Sequence, residues 1–495
     1  MTDPVFVGVD IGTSSSKGVL VSRSGEILRS AVRSHEVNRP SPGHFEMDPD
    51  VWWQEFQAIV AELTGDLSSL SQNKAVEVAA VGVSGMGPCV VLTNEWGDPV
   101  RPGILYGVDS RARDQITVLD AEMGRDEIRQ RCGSALSSQA AGPKILWVRD
   151  NEPEAYGKAR KFFMPASFLV HKLTGAYVLD HHSASQSTPL YDPRTHEWIP
   201  EWADRVAPGI ELPRLQWAGE LAGRTTVRVA GVPEGTPVVT GTIDAWAEGY
   251  SAGAHRPGDL MLMYGTTMFL ISTVTEPLIS DSMWGTVGVL PGTHCLAGGM
   301  ATSGAITGWV RDLTGADYPQ LIHEAAGSPP GANGLMVLPY FAGERTPVQD
   351  PDARGVIAGL TLNHTRGDMY RAVLEATAYG VRHNLEVMRA AGADVDRVVA
   401  VGGGTQSSLW PQIVTDVTGL PQMIPSVTIG ASYGAAALAA GMVIDIDLDS
   451  WNPPGTECAP ELEATEVYNA LYSVYRDLYP ATQEVVHTLV NLTTS

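Results

Sequence analysis

The apolar positions of "VFVGVDIGTSSSKGVLVSR" (5–23) fall in two runs, separated by a polar patch of one glycine, hydroxyl residues and Lys17. Runs this apolar on both faces predict buried strands, and the short patch predicts a hairpin turn between them. "DPDVWWQEFQAIVAEL" (48–63) changes to helical spacing, with Asp48 as N-cap and Pro49 in the first helical position. "VEVAAVGVSG" (76–85) predicts a buried strand, and "GPKILWVRD" (142–150) and "PASFLVHKLTG" (165–175) predict helices, the second closed by Gly175. "TPVVTGTIDAWAEGYSAGA" (236–254) passes from strand to a helix of small residues.

The pattern then restarts. "GDLMLMYGTTMFLISTV" (258–274) repeats apolar run, Gly-Thr-hydroxyl turn and apolar run, so that Gly12-Thr13-Ser14 lies over Gly265-Thr266-Thr267. Such a repeat implies two related domains whose equivalent turns face one ligand across a cleft. We expect an N-terminal domain over 1–250 and a C-terminal domain over 251–446. Residues 447–495 should be a Pro-, Gly- and acid-rich linker followed by a final helix packed on the body.

A chain of 495 residues is too long for one core, which agrees with this division. With 33 basic against 56 acidic residues the formal charge is −23, which argues against nucleic acid or an anionic membrane as partner. Four scattered cysteines without a C-x-x-C fit reduced thiols, and no basic-then-apolar leader opens the chain. The Gly/Ala-rich stretch 433–444 is too short to span a bilayer. A soluble, cytoplasmic protein is expected.

Candidate chemistry concentrates at the two turns. A Gly-led turn presents successive N–H groups as an anion nest, and Thr13, Ser14 and Lys17 add donors, although Ser and Thr also favour ordinary turns. Asp10, near the end of a buried strand, needs a partner, and a hydrated magnesium ion beside phosphates would supply one. Asp244 stands between strand and helix; it is placed to cap that helix, to take a proton in the crevice, or both. "VVAVGGGTQSSLWPQ" (398–412) allows close approach of a flat ring or ribose, yet G-x-G-x-x-S followed by Ile424 is no Rossmann fingerprint, and the chain has no P-loop. Gly304 and Gly308 either leave room beside a ligand or permit close helix packing. The loop with Glu344, Arg345, Asp350, Asp352 and Arg354 reads as an exposed salt-bridge loop near the site, and His181-His182 has no third metal ligand nearby.

The ordered set "GVDIGTSSSKGVLV", "GTIDAWAEGYSAG", "YGTTMFL", "LPYFAGERTP" and "VVAVGGGTQSSLWPQIVTDVTGLP" resembles the FGGY carbohydrate kinases almost end to end. The resemblance implies an α/β, two-domain actin-like (ribonuclease H-like) ATPase fold, each domain a mixed sheet flanked by helices. It also implies ATP and Mg2+ as cofactors and a small sugar as partner, with room for a homodimer. Carried over, Asp244 is the catalytic base and shares the metal site with Asp10. Gly12, Thr13, Ser14 and Lys17 form the first phosphate loop and Gly265, Thr266 and Thr267 the second. Gly304, Gly308, Gly403, Gly404 and Ser407 line the adenosine pocket.

The sugar pocket is assigned to Met86, Gly87, Asp109, Asp244 and Trp246, with Arg111 and Arg113 completing a polar cluster beside Asp109. It departs from the family at Met86-Gly87-Pro88-Cys89, where glycerol kinases carry Arg-Glu and typical xylulokinases Met-His. A ketopentose kinase is the expected activity. Kinases of glycerol, erythritol, a hexulose or gluconate, and a non-catalytic sugar or nucleotide sensor, are the alternatives.

Overall fold

The computed structural model describes residues 3–70 and 75–494. Its framework is two seven-stranded mixed sheets. In the first, Asp3–Ile11 runs antiparallel to Ser15–Ser22 and parallel to Val76–Gly85, and Ile27–Ser34 extends the hairpin side. In the second, Asp259–Tyr264 runs antiparallel to Met268–Val274 and parallel to Arg397–Val401, and His294–Met300 extends the hairpin side. Each sheet closes its far edge with an antiparallel strand, Leu221–Arg224 in one and Pro454–Cys458 in the other. The repeat seen in two short motifs thus extends through the strand order. The α/β class implied by the family resemblance is the class observed.

Local structure follows the residue pattern closely. The helix Pro49–Thr64 starts at Asp48, whose carboxylate accepts from Asp50 N, and Pro165–Thr174 ends at Gly175 in the left-handed region (φ 74°). The segment 447–461 is a different matter. Its residues 454–458 pair with Gln422–Pro425, so the stretch read as a linker is an edge strand of the second sheet. The helix Leu462–Thr494 does pack on the body: Tyr468 Oη accepts from Arg371 and donates to Glu375, and Tyr479 and His487 both reach Asp350. No helix among the described residues is long and apolar enough to cross a membrane.

The Gly/Ala-rich run forms the helix Ala431–Val443, which lies against the first sheet although in sequence it falls between strands of the second. Its backbone sits almost on that sheet. A Cβ built on Gly82 would lie 1.9 Å from Ala435 O, and one on Gly8 would lie 2.0 Å from Ser432 O. The same helix presses on Asp244–Ser251, where a Cβ on Gly434 would meet Ala247 O at 1.9 Å. One continuous core joins Phe6 and Val19 of the first sheet, Trp246 and Ala436 of these two helices, and Met261 and Val399 of the second sheet. The helix pair is therefore packed between the sheets, and glycines at the contacts set the spacing that opens the cleft.

Gly82→Ala places a methyl where a carbonyl oxygen already is, and overpacking of this kind costs about 1–3 kcal/mol or more. Gly157, with nothing within 4 Å of its Cβ position, is the control. Thermal unfolding should show a clear loss of Tm for Gly82→Ala and none for Gly157→Ala; equal Tm values would contradict this packing.

Candidate active site

Asp10 is the next-to-last residue of its strand and is 9% exposed. Its register partners are Lys17 across the hairpin and Ser84 on the parallel strand, so all three side chains share one face. Ser84 Oγ donates to Asp10 Oδ1 at 2.9 Å. Asp244 and Glu248, one helical turn apart, stand on the same side, half-buried. Sequence reading allowed Asp244 to be a helix N-cap, but the cap position belongs to Ile243 and makes no side-chain bond. Asp244 is the first helical residue, and its Oδ1 accepts from the adjoining Ala245 N at 2.7 Å.

This grouping concentrates negative charge. Loss of solvent raises the pKa of Asp10, and the Asp244 charge raises it further, against the opposing effects of Ser84 and Lys17. Asp244 is raised by burial, and Glu248 is pushed up to about 7 by burial and then by Asp244. Among the described residues no three His, Cys, Asp or Glu side chains are grouped to hold a metal ion directly. A donor set of one or two carboxylates still suits a magnesium ion that keeps most of its water, and Asp10 fits that demand.

Both hairpin tips are closed by the amide of their glycine, Gly12 N donating to Ser15 O across loop residues 12–15 and Gly265 N to Thr267 O across the tighter loop 265–267, each at 3.1 Å. Ser14, Thr266 and Thr267 are exposed, leaving their donors open to the cleft, and Thr13 is half-buried. The second tip abuts the other glycines. Gly304 N donates to Gly265 O at 2.9 Å, and a Cβ on Gly402 would lie 2.6 Å from Tyr264 O.

The Cβ side of Gly304 packs closely on the hairpin, where a Cβ would meet Gly265 O at 2.5 Å. Gly308 has only Tyr318 Oη at 3.5 Å, and Gly403 opens onto free space. A Cβ on Gly404 would collide with the Trp410 ring, which packs the loop from behind; Ser407 is half-buried, its Oγ accepting from Leu409 N.

A cavity of about 190 Å³ lies between the halves. Gly87, Tyr106, Asp244 and Trp246 line it from the N-terminal side; Met263, Thr267, Trp284 and Arg345 line it from the C-terminal side. Met263 occupies in the second hairpin the position of Asp10 in the first, so the repeat is carboxylate on one side and thioether on the other. Trp246 is held by His182, whose ring stacks on it with centroids 3.8 Å apart. His182 Nδ1 donates to Val287 O, and burial lowers its pKa to about 3, so it braces Trp246 as a neutral ring.

Two residues assigned to the sugar pocket do not line this cavity. Met86 is buried, 1% exposed, and Asp109 is committed elsewhere: it accepts from Phe45 N and forms a buried ion pair with Arg111, which also reaches Glu46. Burying an unpaired carboxylate is costly, so this pairing wins over facing a polar ligand. Asp109, Lys144 and Gln139 together hold the loop that presents Tyr106. Lys144 Nζ donates to the carbonyls of Leu105 and Tyr106 at 2.7 Å, and Gln139 Oε1 accepts from Gly107 N. Tyr106 itself was not singled out from sequence; its Oη meets Thr13 Oγ1 at 3.0 Å.

The loop expected to be an exposed salt-bridge network is a further correction. Glu344 is 5% exposed and accepts from Ala301 N and Arg345 N, and Arg345 points into the cavity.

Residues 5–248 match the N-terminal domain, and 260–442 the C-terminal domain, of the FGGY family of carbohydrate kinases. Xylulose kinase of Escherichia coli (strain K12) is 30% identical over 88% of this chain and 89% of its own. Glycerol kinase of Nocardia farcinica is 31% identical over 88% and 89%. The crystal structure of xylulose kinase from Rhodospirillum rubrum superposes with a TM-score of 0.89 at 30% identity, covering 97% of this chain and 99% of that one.

Carboxylates raised in the fold stabilise it below their unfolded pKa and lose that stabilisation as pH rises through the folded value. The Asp10, Asp244 and Glu248 group should therefore weaken the ligand-free protein from about pH 4 up through pH 7 and beyond. Asp10→Asn keeps the Ser84 hydrogen bond without the charge. Its Tm should gain on wild type progressively as pH is raised; parallel Tm–pH curves would contradict the shared charge.

Proposed function

Because the chain belongs to the FGGY family of carbohydrate kinases, we propose that it transfers the terminal phosphoryl group of Mg·ATP to a hydroxyl of a ketopentose of the xylulose or ribulose type. The observation that carries this reading is the cavity that joins Asp244 of one half to Thr267 and Arg345 of the other, between two equivalent hairpins. The end-to-end similarity to xylulose kinases supports the choice of acceptor.

Asp244 acts as the general base. Its carboxylate faces the cavity, and enclosure lifts its proton affinity toward neutrality, which suits a base operating near pH 7. It accepts the proton of the acceptor hydroxyl as that oxygen bonds to the terminal phosphorus. The bond from phosphorus to the bridging oxygen breaks, and its electron pair leaves with ADP. Trp246, braced by His182, gives the acceptor an apolar face to lie against.

Gly12–Ser14 and Gly265–Thr267 hold the phosphates by N–H and hydroxyl donors, and Gly403, at an open edge beside Trp410, borders the adenosine. Asp10 and Asp244 would hold the magnesium through its water, and the ion supplies positive charge against the phosphate oxygens. Positioning and charge stabilisation do most of the work in such transfers. The four cysteines are free buried thiols, which supports a cytoplasmic setting.

Gly87 presses on Ile243, where a Cβ would come within 2.6 Å, so no side chain enters the cavity there. The acceptor screen must therefore be broad. ADP release measured over ketopentoses, polyols, hexuloses and sugar acids should single out a ketopentose. Asp244→Ala should reduce its turnover by roughly 10²–10⁴-fold. Turnover near wild type in that variant would overturn the assignment of the base.

A further inference from the structure

Of the described residues that line the cavity, only Asp244 and Arg345 carry charge. They come from opposite halves. Arg345 is enclosed, and among the described residues its guanidinium makes a single hydrogen bond, from Nη2 to Met300 O at 2.9 Å, and no ion pair. A guanidinium offers five N–H donors and stays charged in proteins. Among the described residues the remaining donors have no protein partner, and the side chain lines the cavity.

The position of the guanidinium is informative. Met300 is paired with Met268, the residue that directly follows Gly265–Thr267, so one flank of Arg345 lies against the second hairpin. Tyr106, which lines the same cavity, meets Thr13 of the first hairpin through its hydroxyl at 3.0 Å. Arg345 thus stands between the two tips. Glu344 anchors the loop there: its Oε1 accepts from Ala301 N and Arg345 N, both at 2.7 Å. The surroundings also need positive charge: Asp10, Asp244 and Glu248 are concentrated across the cleft, and Lys17 sits on the first hairpin alone.

We propose that Arg345 binds the terminal phosphate of ATP between the two hairpins and holds it during transfer to the acceptor oxygen. This rests on the kinase reading and adds to it a cation supplied by the C-terminal half. The guanidinium forks onto two phosphate oxygens and offsets charge on them as the bond to ADP breaks. No covalent bond to Arg345 forms, and the proton still goes to Asp244.

Full-length wild type, Arg345→Met and Arg345→Lys are compared by calorimetric titration with Mg2+ plus ADP and Mg2+ plus a non-hydrolysable ATP analogue. Arg345→Met should lose at least about tenfold in affinity for the analogue while ADP affinity changes little. With the acceptor from the screen, kcat should fall roughly 10²–10³-fold, with acceptor KM nearly unchanged and partial recovery in Arg345→Lys. Equal loss for ADP and analogue, or an unchanged kcat with a raised acceptor KM, overturns the proposal. If Arg345→Met does not fold, the same affinity ratio in Arg345→Lys decides. Wild type that bound neither nucleotide would overturn the kinase reading, and the proposal with it; wild type that binds both while neither variant discriminates overturns the proposal alone.

Discussion

Three carboxylates, Asp10, Asp244 and Glu248, are gathered on one side of the cleft with Lys17 as the nearby compensating charge. Desolvated like charges are costly, and a fold keeps them together where a ligand or cation repays the cost. Everything around them is arranged accordingly. Asp10 is steadied from one side by Ser84 and opposed from the other by Lys17, and Asp244 is fixed by Ala245 N at the start of its helix. On the proposed kinase reading, a polyphosphate with its magnesium ion would bring both the positive charge these groups lack and the negative charge that the hairpin donors and Arg345 would receive.

The geometry that holds the carboxylates depends on backbone contact more than on large side chains. Asp244–Ser251 and Ala431–Val443 lie between the sheets, and Gly8, Gly82 and Gly434 let them approach to distances no side chain would permit. This brings strand ends from both sheets to one cleft. The two hairpins then face it with equivalent turns, and the repeat differs at the position where Asp10 on one side is answered by Met263 on the other. On the proposed reading, the two turns would grip phosphate from both sides while the chemistry differs between them.

Much of this was legible in the chain. Apolar runs bounded by Gly12 and Gly265 defined both hairpins, Asp48 and Gly175 marked helix ends, and the motif order resembled one family. What escaped notice depended on long-range packing. Gly8 and Gly82 read as ordinary strand residues because the helix that requires them lies far away in sequence. The Cβ side of Gly304 is closed by Gly265 O, and Asp109 looked like a sugar contact and is committed to Arg111 and Phe45 N. The charges of "GERTP" suggested a solvated loop. No local pattern shows that Glu344 turns inward onto backbone N–H groups and sends Arg345 into the cavity. Tyr106 was missed for the same reason, since its partner Thr13 lies on another strand pair.

The account stands on the carboxylate group being a cation-and-phosphate site between the hairpins. The most direct measurement is an anomalous difference map of crystals grown with Mn2+ in place of Mg2+ and a non-hydrolysable ATP analogue. The account predicts a manganese peak beside the Asp10 carboxylate, with the phosphates between Gly12–Ser14 and Gly265–Thr267. Nucleotide and manganese bound together anywhere outside this cleft would contradict it.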